Sequence, residues 1–159
     1  MSALLVLALL VPAGCFPPPL AAPVVDPFRA PACPYCPGNR GLEYAPAAGP
    51  PVTALAAGTV TFRGSVAGTT YVVVQQPDGL TITYGRLDAA AVATGTVVVG
   101  GMRIGTTTDH FFLGIRRGDE YVDPAPLLGR FQRRPRLVPV EGGPPSAAPP
   151  PSLTCGATT

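Results

Sequence analysis

Two cysteines separated by two residues, Cys33 and Cys36 in the segment CPYC, offer the widest choice of chemistry in this sequence. Such a pair can exchange electrons as a dithiol, supply half of a zinc site, or close a structural disulfide. The residues after it lack the helical periodicity that thioredoxin-type chemistry requires, and no second pair completes a zinc ribbon. The pattern therefore favours a disulfide, either between Cys33 and Cys36 or from one of them to Cys155, and the sequence leaves these pairings open.

The chain contains a single histidine, His110, in the segment HFFLGIRR. A catalytic zinc site takes about three protein ligands from histidine, cysteine or carboxylate and leaves one position for water. Cys33, Cys36 and His110 together would reach that count, so a rearranged metal site built from them is one hypothesis. The alternative is that His110, at the start of a predicted strand, is a hydrogen-bonded surface or half-buried residue.

The first 15 residues have the pattern of an export signal. Residues 3–11, ALLVLALLV, form an apolar run that suits a signal-peptide core and is too short to span a bilayer. The following PAGC places small residues before Cys15 and resembles a bacterial lipobox, in which the cysteine is lipidated. We expect a signal peptide over residues 1–15, with Cys15 as the lipidation candidate and ordinary signal cleavage as the alternative. The chain is then secreted or held in the cell envelope, and a lipid on Cys15 would tether it to the outer face of the cytoplasmic membrane.

Proline divides the chain into three parts. Of the 22 prolines, all but Pro77 lie in residues 1–51 or 124–159. The stretch between is enriched in valine, isoleucine and threonine, which favour pleated strands. We predict a proline-rich linker over residues 16–36, an all-β domain over 37–129, and a flexible tail, first arginine-rich and then proline-rich, over 130–159.

The charge of the chain is low. Charged residues make up 13% of it, and its net charge is +2. A nucleic-acid binder needs a dense basic face, so this class of protein is excluded.

Alternation of apolar and polar residues predicts the strands. GTVTFRG (58–64) and LTITYG (80–85) alternate with a period of two, and YVVVQQ (71–76) is more continuously apolar. The PDG between the last two is a turn signal, so these strands are predicted to form a hairpin. TVVVGG, RIGTT and HFFLGIRR supply three more short strands. LDAAAVATG (87–95) is compatible with a helix and is predicted as one short turn.

The order of these segments resembles a known family. GNRGLEYAPAAGPPVTALAAGTVTFRG, YVVVQQPDGLTITYGRL, GTVVVGGMRIGTT and HFFLGIRRGDEYVDPAPLL follow one another as in the lysostaphin/LytM-type zinc endopeptidases of bacterial cell walls. The similarity runs from about residue 37 to residue 129. It implies a small sandwich or barrel-like hybrid β domain, of the duplicated hybrid motif type, with a groove that binds peptidoglycan peptides.

The resemblance also implies where a zinc site would lie, and this chain departs from the family there. The first two zinc-ligand positions, His and Asp in active members, are Asn39 and Glu43, and the third, a His, is Phe112. Arg86 stands at a catalytic histidine position, and His110 alone keeps its family identity. We therefore expect no metal, no cofactor and no catalytic residue, with Phe112 filling the former metal cavity.

The function implied by the resemblance is an exported, non-catalytic binding module of the cell wall or a regulator of hydrolases. Its expected partners are peptidoglycan or a cell-wall hydrolase. The alternative is an active metalloendopeptidase that cleaves peptidoglycan cross-bridges with a rearranged metal site.

Overall fold

A computed structural model describes residues 15–33, 35–47, 49–132 and 150–155. Residues 1–14 of the expected signal peptide and the middle of the expected tail lie outside the described residues. Within the described ranges, no helix combines the length and the apolar character needed to cross a membrane.

The regular secondary structure of the described residues consists of β-strands and one short 3-10 turn. The strands are β1 (Val24–Asp26), β2 (Gly41–Tyr44), β3 (Pro51–Thr53), β4 (Gly58–Val66), β5 (Thr69–Gln75), β6 (Leu80–Ala90), β7 (Val97–Val98), β8 (Arg103–Arg117), β9 (Glu120–Val122), β10 (Arg130–Gln132) and β11 (Ser152–Thr154). The 3-10 turn spans Ala125–Leu127. The all-β prediction is confirmed.

Strand β8 pairs with more strands than any other strand of the main sheet. This antiparallel sheet runs in the order β1-β2-β8-β6-β5-β4-β7, and β3 and β9 also pair with β8. Because β6 lies along one edge of β8, the strands β2, β3 and β9 share its other edge. Strands β10 and β11 form a separate two-stranded sheet.

The predicted hairpin is present as β5 and β6. Gln75 pairs with Thr81, and the N–H of Gln76 donates to the carbonyl of Leu80 over 2.8 Å. Gly79 closes the turn with a φ of 87°, a conformation that glycine adopts without steric cost.

The helical turn expected over residues 87–95 is wrong. Strand β6 continues to Ala90, and Ala89 and Ala90 pair with Thr106 and Gly105 of β8. A side-chain carbon at Gly105 would lie 2.2 Å from the carbonyl oxygen of Ala89, so this pairing requires glycine. Long-range sheet pairing here overrides the helix propensity of an alanine-rich segment.

The expected linker over residues 16–36 is also corrected. Leu20 is buried in the core, and Val24 of β1 pairs with Tyr44 of β2. The N–H of Thr53 donates to the carbonyl of Pro19 over 2.9 Å. The prolines hold this segment extended, but its carbonyl groups and one leucine belong to the folded unit.

The structure contains two disulfides, and one of them joins residues near the two ends of the described chain. Cys33 bonds to Cys36, one of the pairings left open, whereas Cys155 bonds to Cys15. A sulfur in a disulfide cannot also carry a lipid thioether, so this bond and the lipidation expected at Cys15 are alternatives, and the lipidation stays a prediction. The described ends of the expected flexible tail, β10 and β11, pair with each other just before Cys155.

Alternate residues of the long strands separate two faces of the sheet. The buried face carries large apolar side chains: Val72 and Val74 of β5, Ile82 and Tyr84 of β6, and Phe111, Leu113 and Ile115 of β8. Thr81, Thr83 and Phe112 lie on the opposite face and are half-buried. One face therefore forms the core, and the other leaves its side chains partly accessible to solvent.

Two core tyrosines differ in how their hydroxyl groups are satisfied. The Tyr84 hydroxyl oxygen accepts a hydrogen bond of 2.9 Å from the N–H of Leu55. Within the described residues, the buried Tyr44 hydroxyl has no hydrogen-bond partner. Burial raises the pKa of both phenols, that of Tyr44 to about 12.

We expect Tyr84→Phe to lower the free energy of unfolding by about 1–3 kcal/mol, because it leaves the Leu55 N–H buried and unpaired. The matched control Tyr44→Phe removes a hydroxyl that bonds nothing described, so its cost at neutral pH should stay within about 0.5 kcal/mol. Urea unfolding followed by far-UV circular dichroism measures both. Equal losses in the two variants would contradict this prediction.

The same pair of variants tests a pH dependence. A tyrosine whose folded pKa is raised holds its proton more tightly in the folded state. For Tyr44, this contribution to the free energy of unfolding is full below pH 10, the ordinary pKa of a tyrosine, and is lost as the pH rises through about 12. Tyr44→Phe should therefore reduce the loss of stability over that pH range.

Candidate functional site

Asn39 lies just before β2 and is buried. Its amide nitrogen donates to the carbonyl oxygens of Asp26 (3.3 Å) and Pro27 (3.2 Å), and its amide oxygen accepts from the N–H of Gly41 (3.3 Å). Its backbone also exchanges two hydrogen bonds with Arg29. The side chain at the first expected ligand position therefore fastens the segment after β1 to the start of β2.

An ion pair at the edge of that segment supports the same contact. Asp26 and Arg29 are paired through their side chains, and this hydrogen bond holds the pKa of the Asp26 carboxyl below its ordinary value. Both groups are solvent-exposed, so the pair orders the segment without contributing a buried charge.

The second expected ligand position and the expected catalytic position contact each other. An Nη2 of Arg86 donates to Oε1 of Glu43 over 3.2 Å in a partly exposed ion pair. Arg86 sits on a bulge of β6 with a φ of 60°, in the left-handed region. The carboxylate of Glu43 is therefore neutralised by a guanidinium on the neighbouring part of the sheet.

The third expected position, Phe112, lies over a floor of glycines. Side-chain carbons placed on Gly41 or Gly114 would lie 2.7 Å or 3.0 Å from its ring, and one on Gly85 would lie 3.2 Å from it. In register, Phe112 faces Glu43 on one side and Gly85 on the other. The ring thus covers the backbone at these three glycines on the open face of the sheet.

His110 lies on the exposed side of an irregular stretch of β8. Its side chain is 55% exposed, and its Nε2 is 3.8 Å from a carboxylate oxygen of Asp109. Contacts with Thr108 and His110 and its own backbone N–H hold the pKa of Asp109 below its ordinary value, with the backbone hydrogen bond the largest cause. The structure therefore places His110 at the surface, beside a carboxylate.

Thr107 joins the two irregular stretches and was not singled out by the sequence. Its hydroxyl is buried, lies 2.9 Å from the carbonyl oxygen of Arg86, and also lies within hydrogen-bond distance of the carbonyl of His110. A hydroxyl has one proton, so it donates to one of these carbonyls at a time. Nothing in the sequence TTT distinguishes its middle threonine, because the hydrogen bonds of Thr107 depend on how the two irregular stretches meet in the fold.

A groove of about 330 Å³ continues from Phe112 along the open face of the sheet. It is lined by Val73, Thr81 and Thr83 on one side and by Gly114, Arg116, Tyr121 and Arg40 on the other. The Arg40 guanidinium lies 5.5 Å from the centre of the Tyr121 ring. Sequence reasoning missed Arg40, Arg116 and Tyr121, since strands β2, β8 and β9 bring them together only in the fold.

Residues 37–124, more than half of the chain, match the model of Peptidase family M23. The chain belongs to peptidase family M23. This confirms, at the level of the family, the resemblance to lysostaphin/LytM-type enzymes.

Curated relatives of this M23 chain occur in mycobacteria. The uncharacterized proteins Rv2891 of Mycobacterium tuberculosis and Mb2915 of Mycobacterium bovis are 30% identical to it over 138 residues. The match covers 79% of this chain and 54% of each relative. The chain therefore spans about half the length of the curated relatives it matches.

Solved structures share the M23 fold. Csd3 of Helicobacter pylori has a TM-score of 0.63 at 20% identity, over 80% of this chain and 37% of that one. A chain of the SpoIIQ–SpoIIIAH pore forming complex has a TM-score of 0.64 at 19% identity, over 72% and 91%. LytU has a TM-score of 0.58 at 21% identity, over 66% and 83%. At these identities the likeness concerns the fold.

Zinc does not fit the residues at the three positions where its ligands were expected. Phe112 has no donor atom, the Asn39 amide is bound to backbone groups, and the Glu43 carboxylate is paired with Arg86. Across the described ranges, no three or more histidine, cysteine or acidic side chains are grouped so that they could hold a metal ion.

The rearranged site from Cys33, Cys36 and His110 does not form either. The two cysteine sulfurs are joined in a disulfide, so neither is a thiolate that could bind zinc. His110 does not meet them in any metal-holding group among the described residues.

Proposed function

We propose that this M23 domain is an exported, non-catalytic module that binds peptidoglycan peptides or regulates a cell-wall hydrolase. The observation that carries the proposal is the chemistry at the expected zinc positions. A guanidinium neutralises the one carboxylate there, and the third position carries an aromatic ring that packs over Gly41, Gly85 and Gly114. Without a Lewis acid or an activated water at this place, the family mechanism of hydrolysis has no starting point.

The open face of the sheet supports the binding part of the proposal. The groove beside Phe112 is continuous with the place where the M23 fold would act on its substrate, and it is lined by hydroxyl, apolar and cationic side chains. Such a mixture suits an extended peptide, whose amides need hydrogen bonds and whose side chains need apolar contacts.

A likeness of fold supports the regulatory part. One solved structure with this fold is a chain of the SpoIIQ–SpoIIIAH pore forming complex, so a domain of this architecture takes part in a protein complex there. A cell-wall hydrolase is the partner proposed for the present chain.

Two measurements on the full chain test the absence of catalysis. Zinc content after purification in zinc-containing buffer should stay well below one ion per chain, and the chain alone should not clear a suspension of cell-wall material. Stoichiometric zinc together with lysis that a chelator abolishes would overturn the proposal in favour of an active metalloendopeptidase.

A third measurement tests the binding and regulatory roles. The chain should sediment with insoluble peptidoglycan, and soluble wall peptides should release it, or it should accelerate lysis by a separate purified hydrolase. A chain that neither sediments nor changes that lysis would be a structural spacer, and the proposed function would be wrong.

A further inference from the structure

The groove beside Phe112 is lined by positively charged side chains that lie outside the expected zinc site. Arg40 and Arg116 are its charged lining side chains, and no acidic side chain is among its lining residues. Among the described residues, no ion pair joins Arg116 to a carboxylate.

The fold places Arg116 next to Tyr121, an aromatic residue that Arg40 also contacts. Arg116 of β8 is the direct cross-strand neighbour of Tyr121 of β9, and the Arg40 guanidinium lies over the Tyr121 ring. An Nη2 of Arg40 also donates to the carbonyl oxygen of Cys36 over 3.5 Å. The planar fork of donors on a guanidinium matches the two oxygens of a carboxylate.

The rest of the groove fits the peptide that would carry such a carboxylate. Thr81 faces Arg116 and Thr83 faces Gly114 in the register of β6 and β8, so two hydroxyls lie beside the cationic end. Val73 of β5 and the Phe112 ring supply apolar surface at the other end. The polarity therefore changes along the groove from cationic through hydroxyl-bearing to apolar.

We propose that this groove binds an extended peptide with a free carboxylate, and that Arg116 binds the carboxylate. The peptide nature of the ligand rests on the proposed function. The present proposal adds that the peptide carries a free carboxylate and lies in one orientation in the groove. The carboxylate lies near Tyr121, and the adjoining residues of the peptide run toward Phe112. Hydrogen bonds from a guanidinium to a carboxylate are charge-assisted and stronger than neutral ones.

The test compares two synthetic peptides on the full chain at low salt. One is a peptidoglycan stem tetrapeptide with free carboxylates, and the other is the same tetrapeptide with its carboxylates amidated. Calorimetric titration should show the free acid binding about tenfold or more tightly than the amide, which is the effect expected from losing a charged hydrogen-bonded contact.

Arg116→Gln should weaken binding of the acid by about tenfold and leave the amide unaffected. Arg117→Gln is the matched control, because it removes the same charge from the next residue of β8, which does not line the groove. It should leave the affinity for the acid within about twofold, since exposed charges interact weakly at a distance. Unchanged unfolding curves for both variants show that each one folds.

The outcomes separate this proposal from the proposed function. Equal binding of acid and amide, or an equal loss in both arginine variants, overturns the carboxylate assignment while peptide binding stands. Failure to bind either peptide, together with failure to sediment with peptidoglycan, overturns the binding function and this proposal with it. Binding of polyphosphate that Arg116→Gln abolishes, without binding of the tetrapeptide, identifies a phosphate site and also overturns the proposal.

Discussion

Removal of the disulfide between Cys15 and Cys155 by the double substitution to serine is expected to lower the free energy of unfolding by about 3–5 kcal/mol. The bond joins residues 140 apart in sequence, so its loss gives the unfolded chain a large gain in conformational freedom. It also holds the end of β11 beside the start of the described chain, where Phe16 bonds to Leu127 and Gly129. Urea unfolding followed by far-UV circular dichroism measures the change.

The second disulfide provides the internal control. Cys33 and Cys36 are three residues apart, so the same entropy argument gives a loss of at most about 2 kcal/mol for their replacement by serine. Peptide mapping under non-reducing conditions establishes the pairing in the starting material. The account is wrong if both double variants lose the same stability, or if mapping finds Cys155 joined to Cys33 or Cys36.

Gly41→Ala is expected to lower the free energy of unfolding by about 3 kcal/mol. A side-chain carbon at this position would lie 2.3 Å from the carbonyl oxygen of Leu113 and 2.7 Å from the Phe112 ring. The first contact is with backbone, so relief requires β2 to move away from β8. That movement would also disturb the hydrogen bond from the Gly41 N–H to Asn39.

Gly100→Ala is the matched control for this substitution. Its nearest contact would be 3.5 Å, an ordinary van der Waals distance, and its φ is outside the left-handed region. Its stability should stay within about 0.5 kcal/mol of the parent chain. Equal stability of the two variants in thermal and urea unfolding would contradict the close packing of β2 against β8.

The local part of this fold was readable from the sequence because strand periodicity and turn chemistry are local properties. The alternation in β6 and the PDG turn predicted the β5–β6 hairpin correctly. The alanine-rich end of β6 was misread, since its strand conformation depends on pairing with Gly105 of β8. No pattern within residues 87–95 reports the presence of that partner.

The candidate site shows the same division. The residue types at positions 39, 43, 86 and 112 were readable from the order of segments, but the contacts between them were not. The pairing of Arg86 with Glu43 spans 43 residues and depends on a bulge that puts a non-glycine residue at positive φ. The role of Asn39 likewise depends on the segment after β1, whose proline-rich composition had suggested a linker.

The disulfide between Cys15 and Cys155 also has a mechanical consequence. Strands β1 to β9 all lie between the two joined residues, so a pulling force applied to the chain outside them passes through the covalent bridge. The sheet does not bear that tension, and the groove keeps its shape under load. Reduction of this one bond would transfer the force to the hydrogen bonds of Phe16 with Leu127 and Gly129 and to the pairing of β10 with β11.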